Sequence, residues 1–376
     1  NYMLAGHILR ACSVFDLARE AYTLAYETTK EKSYAVSSKL HSEMLLCAWD
    51  EVGRLQQVIE ENWYSKGLFN ELVQSPLVNV SWCMDERINF ETAKSFSAKS
   101  VEKPAKVYSH ENHAQNKRLK IGYVSRDFYN HAVLHLLCGV FEQHDKDTFE
   151  IYAYCHSKED KSSFRGRFLA AVEHLVPISC MSNAEVAQQI FDDGIDVLVD
   201  LQGFTQGCRL EIFTMRPAPV QVTYLGFPGT TGLDCIDYVL GDPVVTPLEQ
   251  APYYAEKICQ LPDTYQSNDN KRTTALTPAS REAEGLPADA LVFCCFNMSS
   301  KIDERTFRAW MRLLAQVPQS VLWILDSGEC TNKNLLDYAV KCGISAERIV
   351  FAHRVSHAAH AARISLADLA LDTRIY

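Results

Sequence analysis

From about Leu119 onward the chain alternates short apolar runs with helical segments, and that alternation constrains its fold more than any other feature. The runs lie at Leu119 to Val124, Glu150 to Tyr154, Ile195 to Leu201, Val220 to Leu225 and Ile236 to Leu240, with helical patterns at His135 to Glu142 and Ala184 to Asp192 between them. After a polar break at Gln266 to Arg281 the alternation resumes. Strands are expected at Leu291 to Phe296, Val321 to Leu325, Arg348 to Phe351 and Leu366 to Leu371, and helices at Glu304 to Ala315, Leu335 to Cys342 and near His357. A strand followed by a helix and another buried strand builds parallel sheet, so the pattern predicts an α/β architecture with two Rossmann-like lobes. In such sheets ligands bind beyond the carboxyl ends of the strands, which places a crevice there.

The first 62 residues are patterned differently. Apolar positions recur at helical spacing (Leu17, Ala21, Leu24, Ala25, then Leu40, Met44, Leu45, then Val52, Leu55, Val58, Ile59), and Phe15 to Ala21 alternates small with large residues as helix-turn-helix repeats do. One such unit does not establish a period, and a plain helical hairpin fits equally well. The expected organisation is a helical, tetratricopeptide-like segment at 1–62, a helical linker at 63–116, a first lobe at 117–270 and a second at 271–376. The stretch from Ser95 to Arg118, across the linker's end, is polar and aperiodic.

A net charge of -10 with no basic cluster disfavours nucleic acid and anionic membrane as partners. No apolar run is long enough to span a membrane. Thirteen scattered cysteines, an odd number with no CxxC spacing, read as reduced cytoplasmic thiols rather than a disulfide framework or a zinc site.

Several loops carry residues that could do chemistry. At the end of the first strand, Gly122 to His131 includes His131, a group that can donate or accept protons near neutral pH, and Asp127, four residues earlier and able to orient it. A loop histidine is structural more often than catalytic. The run Arg216 to Gly232 opens a proline-flanked strand into a loop with three glycines, which lets backbone amides approach sugar or phosphate oxygens, although a tight turn without ligand explains it as well. In the second lobe, Lys301 follows a strand and precedes a helix, where an ammonium can face a leaving diphosphate; a solvated loop lysine is the plainer reading. His353, His357, His360 and Arg363 cluster farther on. No acid or cysteine completes a metal set there, so stacking on a base by His360 and phosphate contact by Arg363 are the expected uses. The one Asp-x-Asp triplet, Asp145 to Asp147, sits before a strand as turn residues do, and no metal is inferred.

With these residues in view, the chain resembles the protein O-linked N-acetylglucosamine transferases, the tetratricopeptide-linked family with a two-lobe GT-B catalytic region, in its bacterial type. The motifs are Lys120-Ile-Gly-Tyr-Val-Ser-Arg-Asp-Phe128 with Asn130-His131, Arg216-Pro-Ala-Pro-Val-Gln221 with Leu225-Gly-Phe-Pro-Gly-Thr-Thr-Gly232, Cys295-Phe-Asn297 with Lys301-Ile302, Pro318-Gln-Ser-Val-Leu-Trp323, and Leu366-Ala-Asp368 with Leu371-Asp-Thr373. The resemblance implies inverting, metal-free transfer from UDP-N-acetylglucosamine, a substrate and not a cofactor, to serine or threonine of protein acceptors (EC 2.4.1.-), with further protein contacts through the helical repeats. By position it implies that His131 lies near acceptor and sugar, that Asp127 helps pass protons and that Lys301 neutralises the diphosphate. Leu225 and Gly226 would line sugar and diphosphate, Met298 would lie against the donor, and Val355, His357, His360 and Arg363 would receive the uridine. The chain departs from the family at Ala132 and Val133, which follow the histidine where Pro-Thr is common, at Met298, where Gln or Asn is usual, and at His357, a lysine in animal members. Another UDP-hexose, an asparagine acceptor or a non-catalytic scaffold therefore stay open. The resemblance also implies a second lobe cut at Tyr376 before a phosphate-binding loop, and so an expectation that these 376 residues alone are inactive.

Overall fold

The computed structural model describes residues 2–29, 32–66, 74–113, 116–271 and 279–374. The expected cut at Tyr376 and the middle of the polar break lie outside them. Two compact units form: Asn1–Gln74 together with Thr273–Tyr376, and Ser75–Arg272.

The first unit begins with four helices, α1 (Tyr2–Ala11), α2 (Phe15–Thr28), α3 (Lys32–Leu45) and α4 (Trp49–Lys66). Small residues set their spacing. Ala18, Ala21 and Ala25 bury one face of α2 beside Tyr22, and the Tyr22 ring lies where a β-carbon on Gly6 of α1 would be only 2.5 Å away. A single methyl group at Gly6 would push the two helices apart.

The second unit starts with α5 (Pro76–Val80) and α6 (Glu86–Ser100). Asp85 caps α6, its carboxylate accepting from the Arg87 and Ile88 amides. Residues 95–100, aperiodic in sequence within the expected helical linker, are the last turns of a helix whose buried face includes Ala93 and Ser97. There follow β1 (Leu119–Ser125), α7 (Ala132–Gln143), β2 (Phe149–Cys155), α8 (Ser163–Ala171), β3 (His174–Pro177), α9 (Asn183–Asp192), β4 (Val197–Asp200), α10 (Glu211–Thr214), β5 (Val220–Thr223), β6 (Tyr238–Gly241) and β7 (Lys257–Gln260). The strands form one parallel sheet in the order β3-β2-β1-β4-β5-β6-β7. Apolar cores cover both of its faces: Val124, Tyr154, Leu198 and Phe213 on one, Tyr123, Phe128, Ile151 and Val199 on the other. The order reverses between β1 and β4, and their carboxyl ends therefore open a crevice.

The first unit is completed by β8 (Leu291–Cys295), α11 (Glu304–Gln316), β9 (Ser320–Leu325), α12 (Glu329–Lys341), β10 (Ile349–Ala352), α13 (His357–Ile364) and β11 (Leu369–Ala370). Its parallel sheet runs β10-β9-β8-β11, with the reversal between β8 and β11. Cys294 and Cys295 are adjacent in β8 but enter opposite cores, as strand alternation requires. No helix among the described residues is long and apolar enough to cross a membrane.

Candidate active site

In the second unit, the loop leaving β1 is tied down along its length. Arg126 N donates to Gln202 Oε1 (3.1 Å), Asp127 N to Ser125 Oγ (2.9 Å), Phe128 N to Ser157 Oγ (2.8 Å) and Asn130 N to Asp160 Oδ2 (2.6 Å). The Phe128 ring is fully buried and stacks on Phe168 at 4.5 Å. This anchoring delivers His131 as the N-cap of α7, where its Nδ1 accepts from Val133 N at 3.3 Å. With the lone pair on Nδ1, a neutral imidazole carries its proton on Nε2 and presents a donor there.

Asp127 Oδ2 lies 3.7 Å from His131 Nδ1. The structure thus brings together the two residues that spacing had paired. Asp127 is buried and His131 half-exposed. Burial pushes the Asp127 carboxyl above the usual range, opposed by His131 and Arg126, so it takes up a proton more readily than a surface aspartate.

Across the switch point, β4 ends in Asp200, fully buried. Its carboxylate accepts from Gly203 N (2.7 Å), Gln202 N (3.1 Å) and Thr223 Oγ1 (3.1 Å). Gln202, thus held, is the residue that fixes the Arg126 amide. Burial outweighs these bonds and raises the Asp200 pKa from 3.8 to about 6. The native state therefore binds this proton more tightly than the unfolded chain, and the stability it contributes is complete below pH 3.8 and is lost as pH rises through about 6. The loss is on the order of 3 kcal/mol. Asp200→Asn is expected to flatten that part of the pH dependence in urea unfolding between pH 4 and 6; an unchanged slope would mean that Asp200 titrates normally in the fold.

Beyond β5 the backbone turns sharply at Leu225, whose φ is 66°, and Gly226 N bonds to Tyr224 O at 2.7 Å. A γ-turn with positive φ at a β-carbon-bearing residue is strained, and such strain persists only where its surroundings enforce it. Here Gly226 lies flat on the neighbouring strand end: a β-carbon would sit 2.0 Å from Leu201 O. The rest of the glycine-rich loop is pinned by Glu256. This buried carboxylate accepts from Thr230 Oγ1 (2.6 Å), Thr231 N (2.7 Å) and Thr231 Oγ1, while Thr231 O accepts from Ser97 Oγ (2.6 Å) of α6. Glu256 and Asp200 were missed from sequence. Asp200 could have been noticed as an acid closing an apolar strand, whereas nothing local to Glu256 signals its partners.

The first unit holds the remaining expected residues at the carboxyl ends of its strands. After β8, Asn297 Nδ2 donates to Thr373 Oγ1 (3.0 Å) and Asp372 Oδ1 (3.3 Å) beyond β11, joining the two sides of that switch point. Met298 is exposed, and Lys301 closes the 3-10 turn Ser299–Lys301. Val355, in the loop after β10, and His357, the first residue of α13, are exposed. His360 Nδ1 accepts from Arg363 Nε at 3.1 Å and its ring meets Phe296 edge-on at 4.8 Å. Burial, then the charge of Arg363, hold its pKa below the usual histidine value, so His360 is neutral with its proton on Nε2. Arg363 requires a correction. It is 2% exposed, its guanidinium lies 5.4 Å from the Phe296 ring and 5.7 Å from that of Trp323, and Nη1 donates to His353 O at 2.7 Å. The guanidinium is buried in the lobe, where it orients His360, and so lacks the exposure that the expected phosphate contact requires.

The chemistry these sites can support is proton transfer at a buried carboxyl beside a capped imidazole in one unit, and charge and base recognition at strand ends in the other. Residues 96–276 and 267–376 match the family described as Glycosyl transferase family 41. The chain is similar to a probable UDP-N-acetylglucosamine--peptide N-acetylglucosaminyltransferase SEC of Arabidopsis thaliana, 41% identical over 262 residues that make up 68% of this chain and 27% of that protein. It is also similar to a UDP-N-acetylglucosamine--peptide N-acetylglucosaminyltransferase of Caenorhabditis elegans, 28% identical over 369 residues, covering 68% of this chain and 32% of the other. The chain thus spans about a third or less of the length of these curated relatives. A mutant O-GlcNAc transferase from Thermobaculum terrenum shares the fold, with a TM-score of 0.79 over 100% of this chain and 71% of that one at 24% identity. Two parallel α/β sheets preceded by helices, in the architecture of that GT-B-type structure, and a family match over most of the chain lead to one assignment: this chain belongs to glycosyl transferase family 41.

Proposed function

We propose that the full-length protein containing this chain transfers N-acetylglucosamine from UDP-N-acetylglucosamine to serine or threonine hydroxyls of proteins, by single displacement with inversion and without a metal ion. The observation that carries this reading is the Asp127–His131 pair at the first switch point, in a chain whose relatives are named as UDP-N-acetylglucosamine--peptide transferases. In the reaction the acceptor oxygen attacks the anomeric carbon, the bond from that carbon to the β-phosphate oxygen breaks, and UDP leaves. His131 presents its Nε2–H to the sugar and acceptor, and the hydroxyl proton passes toward Asp127, whose raised proton affinity suits a base. Lys301 meets the charge that develops on the diphosphate, the work a divalent ion performs in metal-dependent transferases. The Asp145-x-Asp147 triplet is already committed: Asp145 accepts from Asp147 N (3.0 Å) and Thr148 Oγ1 (2.6 Å) in its own turn. The scattered free thiols support a cytoplasmic setting.

A second reading, transfer of another UDP-hexose, is favoured by Met298, whose exposed thioether stands at the end of β8 where a polar side chain would select the donor's hydroxyls. The experiment is to measure UDP release by the full-length protein with a panel of UDP-sugars and an acceptor peptide library, in the presence of a chelator. UDP-N-acetylglucosamine is expected to be the best donor and the chelator to have no effect. Preference for a different sugar would select the second reading, and loss of activity with chelator would remove the metal-free claim.

A further inference from the structure

The turn that carries Lys301 is held from outside its own sheet. Helix α3 ends in a tight reversal, with Cys47 N bonded to Met44 O at 3.1 Å and Ala48 N to Glu43 O at 3.0 Å. Cys47 occupies the left-handed position of this reversal with φ of 51°, where glycine is the usual residue because a β-carbon is strained there. Such strain persists only where the surrounding structure enforces it. The Cys47 side chain is buried in the core formed by Phe293, Cys295, Ile302 and Phe307, and its thiol donates to Ser299 O at 3.6 Å. Burial pushes that thiol far up, so it stays protonated and a donor.

Four more bonds join the same reversal to the turn after β8 and to α12. Ser299 Oγ donates to Leu45 O (2.7 Å), Trp49 Nε1 to Ile302 O (3.1 Å), Thr331 Oγ1 to Leu45 O (3.1 Å) and Asn334 Nδ2 to Leu46 O (2.8 Å). Trp49 also packs against Phe307 and Tyr338 at 5.2 and 4.8 Å between centroids. The turn's own backbone bonds, Lys301 N to Met298 O (2.9 Å) and Ile302 N to Ser299 O (3.0 Å), enclose a single 3-10 turn. A lone turn of this kind has little intrinsic persistence. Its first residue, Ser299, and the residue after it, Ile302, are both clamped by the helical segment.

We propose that the reversal Leu45–Trp49 is a positioning element for Lys301: by clamping the turn on both sides of the lysine, the helical segment sets where its ammonium meets the diphosphate, and docking of these helices thereby controls diphosphate affinity. This inference rests on the donor role proposed for Lys301. It makes the helical segment part of the donor site rather than only a surface for protein partners.

The test uses the full-length protein with Trp49→Phe, which keeps the aromatic packing and removes the bond to Ile302, and with Ser299→Ala, which removes the hydroxyl bonded to Leu45. Hydrogen exchange read by mass spectrometry at residues 298–303 is expected to rise about tenfold in each variant, the loss of roughly one hydrogen bond, while α11 keeps its protection. UDP affinity by calorimetry is expected to fall about tenfold in Trp49→Phe, and to fall no further when Trp49→Phe is added to Lys301→Ala, because both act through one group. Unchanged exchange at 298–303, or additive losses in the double variant, overturns the proposal. A wild-type protein that binds no UDP overturns the donor reading and the control of affinity with it, and the exchange result then still decides whether the helices hold the turn. If Trp49→Phe fails to fold, Ser299→Ala carries both measurements.

Discussion

Lys301→Ala is expected to lower turnover of UDP-N-acetylglucosamine by the full-length protein about 100- to 1000-fold, the size of effect seen when a fixed charge or donor aimed at a developing anion is removed. The lysine follows β8 at the end of a 3-10 turn, beside the point where strand order reverses, which is where parallel sheets place reacting groups. In the proposed role its charge acts as the sugar–phosphate bond breaks, so the loss is expected mainly on kcat, with a smaller change in KM. Lys301→Arg is expected to recover only part of the rate, because a planar guanidinium replaces a compact ammonium. A fall confined to KM would assign Lys301 to ground-state binding of the nucleotide.

Gly226→Ala is expected to abolish transfer and to destabilise the second unit by about 3 kcal/mol or more. The obstruction is backbone, not a side chain that could swing away: the new β-carbon would lie 2.0 Å from Leu201 O and 2.8 Å from Gln202 Cα. Either the turn at Leu225 or the end of β4 must shift. Moving the latter displaces Gln202, and with it the Arg126 amide that helps to hold the Asp127 loop. A close contact at the Leu225–Gly226 turn is therefore transmitted to the acid–imidazole pair. Chemical denaturation measures the stability loss, and a soluble Gly226→Ala protein of normal stability and rate would show that the turn relaxes freely.

The alternation of apolar runs made most of both sheets legible, because β1, β2, β4, β5, β8 and β9 are largely buried and rich in apolar residues. The elements that escaped lack that signature. β3 (His-Leu-Val-Pro) and β7 (Lys-Ile-Cys-Gln) are edge strands with exposed residues, and α8 carries two arginines and Gly166 within nine residues. The start of α12 was placed late because its first turns, Glu329 to Asn334, are polar; there Thr331 and Asn334 point their polar groups at Leu45 and Leu46. Residues 95–100 lack visible periodicity for a similar reason, since the buried Ser97 is polar and bonds to Thr231 O.

At the site, Asp127 and His131 were legible because four-residue spacing across a loop end leaves two side chains within reach, and the structure sets them 3.7 Å apart. Arg363 was misread because a lone arginine in a basic, histidine-rich stretch looks exposed; nothing nearby in sequence reveals that Phe296 and Trp323 receive its guanidinium. Glu256 and the Cys47 reversal were invisible for the same reason, as their partners lie far along the chain.

Mass-spectrometric site mapping tests the central claim most directly. The full-length protein would be incubated with UDP-N-acetylglucosamine and a cell lysate, and the modified peptides fragmented so that the sugar stays attached. The account predicts one N-acetylhexosamine on serine or threonine side chains, in β linkage as inversion from an α-linked donor requires, and labelling reduced about 100-fold or more with Lys301→Ala. Modification of asparagine, an α linkage, or undiminished labelling by Lys301→Ala would contradict it.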